Sequence, residues 1–144
     1  MNTRLLGIDY GDSRIGLAIS DQLGSFAHPY RTLRSGSRTV DEIRAIVGRE
    51  QISGIVIGLP RNMDGTLGSS AAKAKSFGEQ IALVFPTIKI LFWDERLTTQ
   101  EAQRALHGAG KNTKQSKKMI DQVAAQILLQ NYLDSLQWAR LSNG

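Results

Sequence analysis

Acidic residues stand in three short stretches where strand or helix periodicity would supply an apolar or neutral side chain: Asp9 in GIDYG, Asp94 and Glu95 in FWDERLTT, and Asp121 in KKMIDQVAAQ. A carboxylate directed toward a core is costly and neutralises unless a cation, a metal or hydrogen-bond donors compensate it. Carboxylates this far apart in sequence make chemical sense if the fold gathers them. Converging carboxylates repel one another, and hard divalent cations such as Mg²⁺ or Mn²⁺, which prefer oxygen ligands, relieve that repulsion. Two such ions ~3.5 to 4 Å apart can activate a water and stabilise the leaving oxygen of an in-line phosphoryl displacement. Ordinary structural roles are open to each residue as well. Asp9 could cap a hairpin turn, Glu95 could pair with Arg96 or cap a following helix, and Asp121 suits a first helical turn, where the dipole favours an acid.

The basic residues are unevenly placed. No acid lies between Glu101 and Asp121, while Arg104, His107, Lys111, Lys114, Lys117 and Lys118 fall in that interval, with Gly108 and Gly110 among them. A basic loop leading to an isolated carboxylate suits a polyanionic substrate; the plainer reading is a solvated loop whose lysines confer solubility. A second loop, GLPRNMDGTLGSSA, follows a strand pattern. In it Gly58 ends the strand, Asp64-Gly65 makes a turn, Gly68 allows close backbone approach, and Ser69 or Ser70 can cap a helix whose N-terminus favours anions. Arg61 is placed to contact a phosphate there. The Gly-Lys-Ser/Thr of a Walker A loop is missing. No aromatic-rich stacking platform is evident, so nucleic acid would be recognised by backbone and shape.

The positioning elements follow from periodicity. Residues 4–10 and 14–20 are apolar strand-length runs separated by Gly11-Asp12-Ser13, the signal of a tight hairpin. A third strand is expected within residues 25–33, confined to a sheet edge by Pro29. Helical spacing of Val40, Ile43, Ile46 and Val47 predicts a helix over 38–50, and ISGIVIG over 52–58 reads as a buried strand. A helix over 69–84, a strand over 87–93, a short helix opened by the capping box Thr98-x-x-Glu101, and a last helix over 115–138 complete the chain. This order implies an α/β fold with a five-stranded mixed sheet flanked by helices, its first three strands antiparallel and the later ones parallel. Functional groups then gather beyond the carboxyl ends of the parallel strands. Strand alternation puts Leu5, Gly7 and Asp9 on one face of the first strand, and Leu91, Trp93 and Glu95 on one face of the fifth. Glu95 is therefore a better inward candidate than Asp94. On the last helix Asp121 shares a face with Ala124, Ala125 and Leu128.

The chain has 144 residues, 41% hydrophobic and 22% charged, with a formal net charge of +5. These values suit one globular domain over residues 1–144 with a real core, too short for two lobes around a cleft. No run approaches the ~18 apolar residues of a membrane span, and MNTRLLGIDYG lacks a signal-peptide cleavage pattern. The expected compartment is the cytoplasm. With no cysteines and only His28 and His107, neither disulfides nor a structural zinc site is expected.

Four blocks, GIDYGDSRIGLAISD, GLPRNMDGTLGSSA, FWDERLTTQEAQRAL and KKMIDQVAAQILLQNYLD, together resemble the signature of the YqgF/RuvX family, bacterial proteins with an RNase H-like fold described as proposed pre-16S rRNA nucleases or Holliday junction resolvases. The resemblance covers nearly the whole chain in the expected order, and the DERLTT block is its most specific part. It implies a single RNase H-like nuclease domain with Asp9, Glu95 and Asp121 as catalytic and metal-binding positions for Mg²⁺ or Mn²⁺. The expected reaction is endonucleolytic hydrolysis of phosphodiesters in pre-rRNA or branched DNA. Arg14, Arg61, Arg96, Lys111, Lys114, Lys117 and Lys118 are the candidate nucleic-acid contacts. The expected partners are the nucleic acid, a pre-ribosomal particle if the substrate is rRNA, and a second copy in a homodimer if a four-way junction is cut symmetrically. No membrane partner is expected. A non-catalytic RNA-binding ribosome-maturation factor on the same fold is the alternative. IDYGDSRIG is also similar to the Asp-x-Gly phosphate loop of sugar kinases and actin-like ATPases, which need a second lobe to enclose nucleotide.

Overall fold

The computed structural model describes residues 4–60, 62, 64–95 and 113–143, of which 113–118, 140, 142 and 143 by their backbone alone. The chain opens with strands β1 (Leu5–Tyr10), β2 (Arg14–Ser20) and β3 (Ala27–Arg34). Helix α1 (Thr39–Arg49), strand β4 (Gly54–Leu59), helix α2 (Ser69–Val84), strand β5 (Lys89–Asp94) and helix α3 (Thr113–Asn143) follow. The sheet order is β3-β2-β1-β4-β5. β1, β2 and β3 pair antiparallel as a meander, while β4 joins β1, and β5 joins β4, in parallel. This is the mixed sheet expected from the element order, with Pro29 on an edge strand.

β1 lies at the centre because its Leu6, Ile8 face and its Leu5, Gly7 face both meet helices. On one side Leu6, Ile8, Ile15, Leu17, Ile55 and Ile57 pack with Ile43, Ile46 and Val47 of α1 and Phe77 and Ile81 of α2. On the other, Ala18 and Val56 pack with Ala125, Leu128, Leu129 and Leu133 of α3. Alternation along each strand sorts these two sets. The parallel strands β1, β4 and β5 present their carboxyl ends together, and β1 is where the sheet changes direction of growth. Asp9 and Asp94 occupy those ends, and Glu95 follows directly.

Three glutamines one helical turn apart tie α3 to the edge strand. Gln122 Nε2 donates to Thr32 Oγ1 at 3.2 Å, Gln126 Nε2 donates to the Ala27 carbonyl at 3.1 Å, and Gln130 Oε1 accepts the Ala27 N–H at 2.8 Å. Covering an edge in this way satisfies backbone groups that would otherwise invite pairing with another chain.

Two local expectations are corrected. Gly68, not Ser69 or Ser70, is the N-cap of α2, and no side chain caps it. The Gly68 carbonyl already accepts the Ala72 N–H at 3.0 Å, so both serines fall inside the first turn. The last helix also outruns the expected 115–138 at both ends, and at its C-terminal end the first helix breaker after Trp138 is Gly144. The Asp64-Gly65 turn forms, with Gly65 at φ 89 and Asp64 Oδ1 accepting the Thr66 N–H at 2.9 Å. The expected helix after Thr98 lies outside the described residues.

Candidate active site

Asp9 lies near the end of β1 on its α3-facing side, as Leu5 and Gly7 do. Glu95, one residue past β5, turns toward the same side, where its carboxylate lies over Gly58 of β4. A Cβ on Gly58 would stand 2.6 Å from Glu95 Oε1 and 3.0 Å from Leu128 Cδ2. The glycine thus leaves room for the carboxylate between sheet and helix. Gly16 does the same for α3, since a Cβ there would collide with the Asp121 carbonyl oxygen. That close approach fixes where Asp121 enters the site. Sequence alone gives neither glycine this role, because Gly58 reads as a strand end and Gly16 as one small residue in an apolar run.

Asp9 and Glu95 share a hydrogen bond. Asp9 keeps some solvent contact, yet burial is the largest reason its carboxyl is pushed up from 3.8 to about 8. The negative charges of Glu95 and Asp121 and the hydrogen bond to Glu95 push the same way. Glu95 is also raised, mainly by burial and further by Asp94, while the hydrogen bond from Asp9 opposes the shift. Both carboxyls of the pair thus hold their protons more tightly than free carboxyls do, Asp9 the more strongly.

Asp121 is within electrostatic range of Asp9 but is not hydrogen-bonded into the pair. Arg14 Nε donates to Asp121 Oδ2 at 2.6 Å, from a side chain 43% exposed to one 19% exposed. Among the described residues no group of three or more His, Cys, Asp or Glu side chains stands close enough to hold a metal ion. The expected convergence of three carboxylates is thus a pair, Asp9 and Glu95, with Asp121 facing Arg14 beside it. All three donors are carboxylate oxygens, and the charges of Glu95 and Asp121 both act against ionisation of Asp9, an excess of negative charge that a hard cation relieves, so the set fits Mg²⁺ or Mn²⁺.

Of the candidate nucleic-acid contacts, Arg14 reaches the site through Asp121. Arg61, Arg96 and Lys111 lie outside the described residues. Lys114, Lys117 and Lys118 fall on the first turns of α3, and their side chains also lie outside the described residues. Arg34, which no sequence motif marks, stands opposite Arg14 across the β2–β3 pair.

Residues 3–135 match the RuvX family, described as Holliday junction resolvase. The chain is 46% identical over 135 residues to a proposed pre-16S rRNA nuclease of Clostridium botulinum strain Hall, covering 92% of this chain and 98% of that protein. It is 44% identical over 135 residues to one from Thermoanaerobacter pseudethanolicus, covering 92% and 96%. It is 41% identical over 142 residues to one from Ruegeria sp. strain TM1040, covering 97% and 90%. Among solved structures it is similar to fowlpox virus resolvase bound to Holliday junction DNA, with TM-score 0.58 and 12% identity over 93% of this chain and 99% of that one. It is also similar to Thermus thermophilus RuvC with a Holliday junction substrate, with TM-score 0.55 and 14% identity over 96% of both chains. These two likenesses show the fold, which is RNase H-like. The family match spans Asp9, Glu95 and Asp121, and by it and the 41–46% identities over most of its length the chain belongs to the RuvX family.

Proposed function

We propose that this chain is a divalent-metal-dependent endonuclease, a single RNase H-like domain over residues 1–144, that hydrolyses phosphodiesters of structured nucleic acid in 5′ processing of pre-16S rRNA. The half-buried Asp9–Glu95 pair beside Asp121 carries the reading. A carboxyl pushed to about 8 by burial and two neighbouring acids has little structural use, whereas a cation-binding site requires such a concentration of charge. Asp9, Glu95 and Asp121 would hold Mg²⁺ or Mn²⁺, with Arg14 withdrawn from Asp121. The chemistry those cations supply when bound is activation of a water and stabilisation of the leaving oxygen in an in-line displacement.

The chain's own residues do the rest. Gly58 and Gly16 let Glu95 and Asp121 approach the sheet, so the carboxylates are held on rigid elements. Asp9 gives up its proton as a cation binds. Arg14 and the basic residues Arg61, Arg96, Lys111, Lys114, Lys117 and Lys118 draw in the phosphate backbone.

rRNA is favoured over a junction because relatives at 41–46% identity bear the rRNA nuclease name, while the junction-bound structures are 12–14% identical. Among the described residues no helix is long and apolar enough to cross a membrane, which fits work on cytoplasmic pre-ribosomal particles. The test is cleavage by the pure protein of a pre-16S 5′ leader and of a four-way DNA junction, each with and without Mn²⁺. Mn²⁺-dependent cut products from the leader support the reading. Products from the junction alone would assign resolvase activity instead, and binding without cleavage of either would leave a maturation factor.

A further inference from the structure

Arg14 and Arg34 are directly opposite residues of β2 and β3, at the end of the sheet that carries Asp9. Both lie on the α3 side: Ile15, Leu17 and Leu33 point into the other core, and Thr32, two residues from Arg34, is bonded to Gln122 of α3. Opposed Cα atoms in an antiparallel pair are about 4.5 to 5.5 Å apart, and like charges so placed are destabilising. The pairing is firmly set, since the Ser35 N–H donates to the Ser13 carbonyl at 2.9 Å just beyond it. Asp121 answers Arg14 alone. Arg34 is exposed and has no ion pair among the described residues. Asp121 meets the charge of Arg14, while Arg34 adds a second, exposed positive charge next to it on the same face of the sheet, and guanidinium forks match phosphate geometry.

We propose that Arg14 and Arg34 clamp two neighbouring backbone phosphates of the nucleic acid, one each, and that Arg14 does so by releasing Asp121, freeing that carboxylate to join Asp9 and Glu95. The exchange rests on the nuclease reading above. It leaves the backbone where it is, because the contact between Gly16 and Asp121 holds α3 against β2, so only two side chains need turn. Substrate docking and completion of the carboxylate site become one event. By reciprocity, whatever frees Asp121 strengthens cation binding.

The experiment compares the parent with Arg14→Gln, Arg34→Gln and Arg34→Lys. Binding of a labelled four-way DNA junction and of a pre-16S leader hairpin is measured in EDTA across a salt series, and Mn²⁺ binding to the free proteins by calorimetry. Each glutamine variant should lower the magnitude of the log–log salt slope by about 0.7 to 0.9, and Arg34→Lys should restore it. Arg14→Gln should bind Mn²⁺ several-fold more tightly than the parent, while Arg34→Gln, which removes the same charge one strand away, should not. An unchanged slope in Arg34→Gln, or equal Mn²⁺ affinities in the two glutamine variants, overturns the clamp and the exchange. A parent that binds both probes while the variants match it sinks this inference alone; a parent that binds neither sinks the nuclease reading with it.

Discussion

Asp9 is the residue on which pH dependence should turn. In the unfolded chain it titrates near 3.8 and in the fold at about 8, so between those values the folded state holds a proton that the unfolded chain has lost. Metal-free stability should therefore decline as pH rises from about 4 to about 8 and level off above, the reverse of the usual aspartate behaviour, by up to roughly 6 kcal/mol. Glu95 shifts in the same direction. Thermal melts in EDTA across this range check the slope. Glu95→Gln, which removes one of the charges acting on Asp9, should flatten it. A parent whose melting temperature rises with pH over this interval would show that Asp9 is not held protonated. Much of this is legible in the sequence, because alternation along β1 and β5 selects Asp9 and Glu95 for one face. The Arg14–Asp121 pair is not, since 107 residues separate its members and no local pattern links them.

At the scale of elements, strand and helix periods place every described element to within a few residues, and Pro29 marks the edge strand. What periodicity does not encode is how closely α3 rides on the sheet. Gly16→Ala sets a methyl group against the Asp121 backbone, which cannot swing aside, and should destabilise the protein by about 1 to 3 kcal/mol in denaturant titrations. Gly58→Ala meets chiefly the end of the Glu95 side chain. It should cost less stability yet weaken Mn²⁺ binding, because it displaces the carboxylate. Equal stability losses with unchanged Mn²⁺ affinity would mean that Glu95 has other room to occupy. The glutamines of α3 are likewise illegible, since Gln122, Gln126 and Gln130 look like ordinary polar positions until β3 is set beside them. Gln130→Ala, which orphans the Ala27 N–H, should lower stability by about 1 to 3 kcal/mol. Hydrogen exchange at Ala27 would report the change directly.

For the molecule as a whole, both sides of the sheet carry core, and the helix packed on one of them delivers both an acid and a run of lysines. The formal charge of +5 and the stretch from Arg104 to Lys118 suit a polyanion. Replacing Lys114, Lys117 and Lys118 together should flatten the salt dependence of nucleic-acid binding by about 0.7 to 0.9 for each lysine that neutralises a phosphate, with little change in melting temperature. An unchanged slope would leave these lysines as solubility residues. The central claim is that the acidic pair is a cation site that cuts phosphodiesters, and Asp9→Asn tests it most directly because it removes one charge with little change in shape. The measurement is the melting temperature at pH 8 with and without Mn²⁺, made beside Mn²⁺-dependent cleavage of a pre-16S leader. The expected variant melts at or above the parent without metal, gains no stability from Mn²⁺, and does not cut. A variant that melts lower than the parent without metal and still cuts would contradict the account and make Asp9 a structural turn residue.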